Sequence, residues 1–552
     1  MSTTIDKTKI NVTCENGVWT RIIEPPGDTW QAFGQTLLER MKKVPQRVGQ
    51  IDGLTSEEDT YASMLDRAVR CALWLRKQGV KPGDFIGICT RNHLDTFVPV
   101  LAAIFTGVVF HPWWDVNLTD DMVKYFLELG EPKVVFVSDM LAETVQQVIH
   151  NLGRSTKVVV FGDCSAGVTL HDVLREQDPK DVNNFVCTRI EDARQPAVMI
   201  CTSGSTGYPK GVLHSYAWLE KCSHIAPDKY VVNSIIFWFS EICWISAIGS
   251  TMSLLRNCST AVIYSRPTIE TLCETVEKYK INCLIIGVAT ANQFYKLKGV
   301  EHYDLSSIKY VIYGGSGISE EVDMNMKRIF PTADLSLAYG MTEMGVIVRR
   351  DDAPKKYTCC GRIRENCQLK IVDLDSGQTV GPNEQGEICL KSPYMILRYH
   401  KDPKSTKEII DQEGWYHSGD LGYIDADGDL FVIERLKEVI KYKTVLPVPP
   451  LVVERVLLEH PDINEAGVVA KPDLQDLELP MAFVTVRAGS QITEEKIVKY
   501  VEDNVPDHMR IRGGVKILEK MPVTPSGKIS KKLLREIARA TANEPYRESH
   551  TN

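Results

Sequence analysis

The segment Ile200–Gly211, reading ICTSGSTGYPKG, carries the residue types that hold a polyphosphate. A β-branched run leads into Thr202, Ser203, Gly204, Ser205, Thr206 and Gly207, and Lys210 stands three residues on. Glycines let a backbone approach an anion closely, hydroxyls and amides donate hydrogen bonds, and the lysine adds positive charge. No Lys-Ser/Thr pair follows at the Walker spacing. On composition alone the string also describes an ordinary loop. Three further segments carry usable groups. Tyr339-Gly340-Met341-Thr342-Glu343 sets a hydroxyl donor beside a carboxylate suited to a hard cation. Tyr416–Asp420 (YHSGD) ends on an acceptor carboxylate, and Pro522–Lys528 (PVTPSGK) puts a lysine on a turn. Each has a plainer reading by itself: a Gly-Asp is a turn, a Thr-Glu is a helix start, and a turn lysine is solvated.

In this order, and over nearly the full chain, these segments resemble the signatures of the adenylate-forming superfamily. That superfamily includes acyl-CoA and aryl-CoA synthetases, beetle luciferases and peptide-synthetase adenylation domains. The resemblance implies roles. Residues Thr202 to Gly207 and Lys210 would cradle the phosphates of ATP. Thr342 would bond the α-phosphate, Glu343 would hold Mg²⁺, and Tyr339 with Gly340 would border the nucleotide. Gly314-Gly315-Ser316-Gly317 matches the adenine-side turn. Asp420 and Arg435 would take the ribose. Lys437, in a hinge, and Lys441, just past it, would also contact the nucleotide. Lys528 would bridge the substrate carboxylate and the α-phosphate, where negative charge concentrates in the transition state. His417 is expected only to pack.

Two stretches depart from the family pattern. Phe237–Trp244 (FWFSEICW) replaces the usual acyl-pocket segment, with Ser240 where beetle luciferases carry histidine. It reads equally as a restricted pocket wall or as ordinary core. Past the hinge, Thr444 stands where glycine is usual, one residue is inserted, and Val452 replaces a glutamate. A β-branched residue disfavours positive φ and adds bulk where the pantetheine arm would pass.

The elements that must position these groups alternate through three quarters of the chain. Tyr61, Met64, Leu65, Ala68, Ala72 and Leu75 keep helical spacing, with Gly79 as a stop. Phe85–Cys89, Lys133–Val137, Lys157–Phe161, Val198–Cys201, Cys283–Val288 and Ile308–Tyr313 read as buried strands. The pattern predicts an α/β fold of layered, largely parallel sheets. It changes after about Asp420 toward a small α+β unit, with helices near Val452–Glu459, Glu494–Asn504 and Lys531–Arg539, the last a solvated basic face. The expected division is 1–434 for the large N-terminal domain, 435–437 for the hinge and 438–552 for the mobile C-terminal domain.

The 552 residues allow about three or four units at roughly 150 residues each. Apolar residues at 43% and charged ones at 25% exclude a disordered chain or a small disulfide scaffold. A net charge of −8 argues against nucleic acid as the main partner. Fifteen cysteines without a C-x-x-C pair predict reduced thiols and a cytoplasmic setting. The N-terminus lacks the apolar run of a signal peptide, and the chain does not end in S-K-L. The uncharged stretch Thr96–Trp114 reads as a buried helix running into a buried strand, not as a membrane segment.

The expected activity is ATP-dependent activation of a carboxylic acid through an acyl-adenylate, then transfer to CoA. A luciferase-like monooxygenase and a non-catalytic acyl- or nucleotide-binding protein are the alternatives. A monomer or weak dimer is expected.

Overall fold

The computed structural model of the chain describes residues 12–21, 28–116, 118–163, 167–202, 208–350, 356–443, 446–473, 475–524 and 528–541. The β-branched runs form strands, among them Phe85–Cys89, Val134–Ser138, Lys157–Phe161, Pro196–Cys201, Cys283–Gly287 and Tyr310–Gly314. Such runs, apolar on both faces, belong inside sheets covered by helices on both sides. In an eight-stranded sheet Val109–Pro112, Phe85–Cys89, Val134–Ser138 and Lys157–Phe161 run parallel. In a nine-stranded sheet Ile235–Trp238, Cys283–Gly287, Tyr310–Gly314 and Asp334–Met341 run parallel, and Gly345–Arg349 returns antiparallel.

The helix Tyr61–Lys77 starts where the Thr60 hydroxyl accepts the Ser63 N–H, and it buries Tyr61, Met64, Ala68, Ala72 and Leu75. The uncharged stretch becomes the wholly buried helix Phe97–Thr106 and strand Val109–Pro112. No helix among the described residues is long and apolar enough to cross a membrane. The fourteen described cysteines are free.

A third sheet has six antiparallel strands: Val12–Glu15, Val18–Arg21, Cys367–Val372, Gly386–Lys391, Tyr416–Ile424 and Leu430–Arg435. The change of pattern expected after Asp420 therefore comes later. The turn within Tyr423–Asp429 closes a hairpin of the large domain, and Lys356 sits among the carboxylates of Asp425, Asp427 and Asp429.

The smaller C-terminal domain has its own five-stranded sheet and its own core, which includes Ile440, Val453, Leu457, Val468, Val484, Ile497 and Val501. Its last helix, Lys531–Ala540, is not simply a solvated basic face. Leu534 and Ala538 are buried, Lys531 pairs with Glu454, and Arg535 pairs with Glu438.

Candidate functional site

The site forms at the carboxyl ends of the parallel strands, where open α/β sheets bind ligands. Sheet register brings Gly287, Gly314 and Ala338 side by side. From there Asp334–Met341 runs through Tyr339 into a tight hairpin with Gly345–Arg349. A Cβ at Gly340 would lie 2.3 Å from the Gly345 carbonyl oxygen, so the hairpin through Thr342 and Glu343 closes only on glycine. The buried His214 Nε2–H donates to the Thr342 carbonyl at 2.7 Å, and its ring stacks on Trp218 with centroids 3.9 Å apart. Burial pushes the His214 pKa down to about 3, which keeps the ring neutral.

Glu343 is buried in the next corner. Its Oε1 accepts the Tyr399 hydroxyl at 2.6 Å. The Lys210 ammonium lies 5.1 Å from the Tyr399 ring centre and donates to Ser405 Oγ at 2.7 Å. Thr202 N–H donates to the Lys210 carbonyl at 2.9 Å, which holds together the two ends of the Gly/Ser-rich loop.

Across the cleft, Asp420 is only 2% exposed. Its Oδ2 accepts the Tyr339 hydroxyl at 2.6 Å, and its Oδ1 lies 2.9 Å from Arg435 Nε. Asp420 and Arg435 face each other in the sheet register, so two neighbouring strands fix the pair. Burial, opposed by the Arg435 charge and the Tyr339 hydrogen bond, leaves the Asp420 carboxyl above its ordinary pKa.

The small domain completes the cleft. Lys528 Nζ donates to the Gly315 carbonyl of the Gly314–Gly317 turn at 2.8 Å. Leu451 fills the space above Gly317, where a Cβ would come within 2.4 Å of Leu451 Cδ2. The buried Glu434 spans the chain between the domains: its Oε2 accepts the Leu451 N–H at 2.6 Å. Lys528 and Lys437 keep solvent access through the cleft, yet both have lowered pKa values, from desolvation first and then from the Arg435 charge. Three cations thus meet across the cleft with Asp420 as a nearby counter-charge. An anion with several oxygens would relieve that repulsion.

Comparison with known proteins fits this geometry. Residues 38–400 match the model of the AMP-binding enzyme family, and residues 452–528 match its C-terminal domain. The chain is 31% identical over 505 residues to the luciferin 4-monooxygenase of Luciola mingrelica, covering 88% of this chain and 90% of that one. It is also 31% identical over 520 residues to a 4-coumarate–CoA ligase of Humulus lupulus, covering 90% and 92%. The chain belongs to the AMP-binding enzyme family. Among solved structures, the anthranilate CoA ligase AuaEII in complex with anthranoyl-AMP has a TM-score of 0.83 at 20% identity, covering 92% of this chain and 97% of that one. The luciferase-like enzyme of the nonluminescent Zophobas morio mealworm has a TM-score of 0.69 at 29% identity, covering 76% and 98%.

In this AMP-binding enzyme, the structure gathers Lys210, Gly315, Tyr339, Gly340, Thr342, Glu343, Asp420, Arg435, Lys437 and Lys528 around one cleft. Thr202 stands at its edge, and Ser316 lies exposed on the turn beside Gly315. Residues 203–207 and Thr444 lie outside the described residues. Lys441 is exposed on Ile440–Tyr442 of the small domain, and its backbone N–H donates to Glu478 Oε2 at 2.7 Å. Ser240 bonds Ser246 Oγ at 2.7 Å, and its carbonyl accepts from Asn92. His417 does more than pack: its Nδ1 lies 2.7 Å from Glu387 Oε2. Tyr399, Ser405, His214, Glu387 and Glu434 carried no signal in the sequence, since each is tied to the site through distant residues.

Proposed function

We propose that this protein is an ATP-dependent carboxylate–CoA ligase acting on a fatty or aryl acid. A carboxylate oxygen attacks the α-phosphorus of ATP, the bond to the bridging oxygen breaks, and pyrophosphate leaves with the electron pair. The CoA thiol then attacks the acyl carbon, and AMP departs. The observation that carries the reading is the seating of Lys528 on Gly315, beside the Asp420–Arg435 pair. In that place its ammonium meets the charge that develops when two anions are brought together. Asp420 and Arg435 hold the ribose, Tyr339 and the Gly315–Ser316 turn border the adenine, and residues 202–207 with Lys210 take the phosphates. Glu343 fits Mg²⁺, because that ion takes one or two carboxylates and completes its shell with phosphate oxygens and water. When bound, Mg²⁺ neutralises phosphate charge. The large domain then runs to residue 434, the turn between domains is 435–437, and rotation there exchanges Lys528 for the face bearing Lys441 and the Thr444 loop in the thiol step.

The luciferin 4-monooxygenases support a second reading at equal identity, in which oxygen attacks the acyl-adenylate. A panel of fatty and aryl acids with ATP and Mg²⁺, scored for pyrophosphate, thioester and light, separates them. Thioester that depends on CoA is expected. Light from added luciferin without thioester would move the assignment to the oxygenase, and no pyrophosphate from any acid would remove both.

A further inference from the structure

We propose that Glu387 and His417 are positioning residues that set the aim of Asp420, and through it the enzyme's grip on the nucleotide's ribose. The argument starts from sheet register. Gly386–Lys391 pairs with Tyr416–Ile424, but the register shifts: Glu387 faces Leu421 while Cys389 faces His417. One residue, Ile388, stands on the first strand where Ser418, Gly419 and Asp420 stand on the second. The extra residues form a bulge, and bulges re-aim side chains at functional sites.

Such a bulge leaves backbone groups without ladder partners, and here side chains replace them. Gly419 has φ +66°, a left-handed conformation that glycine adopts freely. Its N–H donates to Glu387 Oε1 at 2.9 Å. The other oxygen, Oε2, receives His417 Nδ1 at 2.7 Å, and His417 Nε2 lies 3.5 Å from Asp411 Oδ2. Cys389 Sγ lies 3.5 Å from His417 Nδ1. Glu387 therefore clamps the bulge at two points, and His417 links that clamp to Asp411. On the other side the bulge faces the cleft. Ser418 Oγ accepts the Asp420 N–H at 3.0 Å, and the Ser418 carbonyl accepts from Arg435 Nη1 at 3.1 Å. Releasing Glu387 frees the segment from which Asp420 reaches Tyr339 and Arg435. Neither Glu387 nor His417 needs to touch the ligand.

The inference rests on the nucleotide reading given above, so its test compares two nucleotides. Binding of ATP and of 2′,3′-dideoxy-ATP is measured for the parent and for Glu387→Ala, Glu387→Gln, His417→Ala and Asp420→Ala. The parent should prefer ATP by about tenfold or more, as expected for hydrogen bonds to a charged acceptor. Glu387→Ala should weaken ATP by about tenfold, leave dideoxy-ATP within about twofold, and so erase the preference. Glu387→Gln should restore most of it, because an amide oxygen still accepts the Gly419 N–H. Combined with Asp420→Ala, Glu387→Ala should cost less than about twofold more, since both act on one interaction. A merely structural role would weaken both nucleotides alike, and that outcome overturns the proposal, as does an unchanged preference. If Glu387→Ala does not fold, His417→Ala carries the comparison: it should lower the preference for ATP by about threefold or more while leaving dideoxy-ATP within about twofold, and an unchanged preference there overturns the proposal. If the parent binds neither nucleotide, the nucleotide reading has failed. A crystal structure of His417→Ala then decides the positioning role, which is overturned if the Tyr339–Asp420 bond keeps its parental geometry.

Discussion

The two walls of the cleft are built in different ways. Tyr339, Asp420 and Arg435 are fixed by strand register, with Asp420 buried between two partners. Lys528 instead comes from a turn of the small domain and reaches the large one through one hydrogen bond to a backbone carbonyl. In the proposed cycle the first wall stays in place, and the second holds only while the small domain is seated. Lost register should therefore show as lost affinity, and lost seating as lost turnover.

The largest effect should come from Lys528→Ala. Removing one positioned electrostatic group raises a barrier by about 3–4 kcal/mol, roughly a hundred- to a thousand-fold in rate. Pyrophosphate release should fall by that factor while a preformed acyl-adenylate is still used. Release within threefold of the parent would sink the assignment. The pH profile sharpens the point. Catalysis needs the charged ammonium, whose pKa is lowered from the ordinary 10.5. The alkaline limb of adenylate formation should thus lie below the ordinary lysine range. A limb at or above 10.5 would argue that another group carries it.

Next in size are Asp420→Ala and Glu343→Ala. The first removes the buried acceptor and should raise the KM for ATP by about tenfold or more, with a smaller change in kcat. The second should raise the Mg²⁺ concentration needed for half-maximal rate and also lower turnover. Titrating ATP and Mg²⁺ separately distinguishes the two. The same pattern from both variants would contradict the separate roles.

How far these walls could be read from the sequence follows from how each is built. Lys528, Asp420 and Glu343 sit in short local strings, so the family resemblance could point to them although each string alone has a plainer reading. The buried parallel strands were equally legible, because each is a continuous apolar run. The antiparallel sheet was not. Its strands alternate buried and half-buried residues instead of running apolar, and Cys367 pairs with Arg21, far back in the chain. Local periodicity holds no trace of that pairing. His417 was misread for the same reason, since its partner Glu387 is thirty residues away. The hydrogen bond from Tyr399 to Glu343 is likewise a tertiary fact.

A smaller effect should follow from disturbing how the small domain seats. Leu451 occupies the space above Gly317, so Gly317→Val must push the leucine aside. Overpacking of this kind costs about 1 kcal/mol or more, or roughly fivefold in the population of the seated state. Adenylate formation should drop by about that factor. Thioester formation from preformed acyl-adenylate should hold or rise. An equal fall in both half-reactions would mean that Gly317 matters for the fold of the turn rather than for seating.

The smallest effect on activity, visible instead in stability, should come from the neutral histidine behind Thr342. The pKa values of His214 and His111 are both pushed from 6.5 down to about 3 by burial. In the unfolded chain each would titrate near 6.5. As pH falls below that value the unfolded state takes up protons that the native state refuses, so stability declines from about pH 6.5 downward. Above it these groups contribute no pH dependence. The limiting slope is about 1.4 kcal/mol per pH unit for each histidine. His214→Gln keeps a donor for the Thr342 carbonyl but cannot titrate. It should be somewhat less stable than the parent at pH 8, having lost the stack on Trp218, and the gap should narrow by pH 5. Urea midpoints measured across that range by Trp fluorescence check this. Parallel curves for parent and variant would show that His214 is not among the groups that make the fold acid-sensitive.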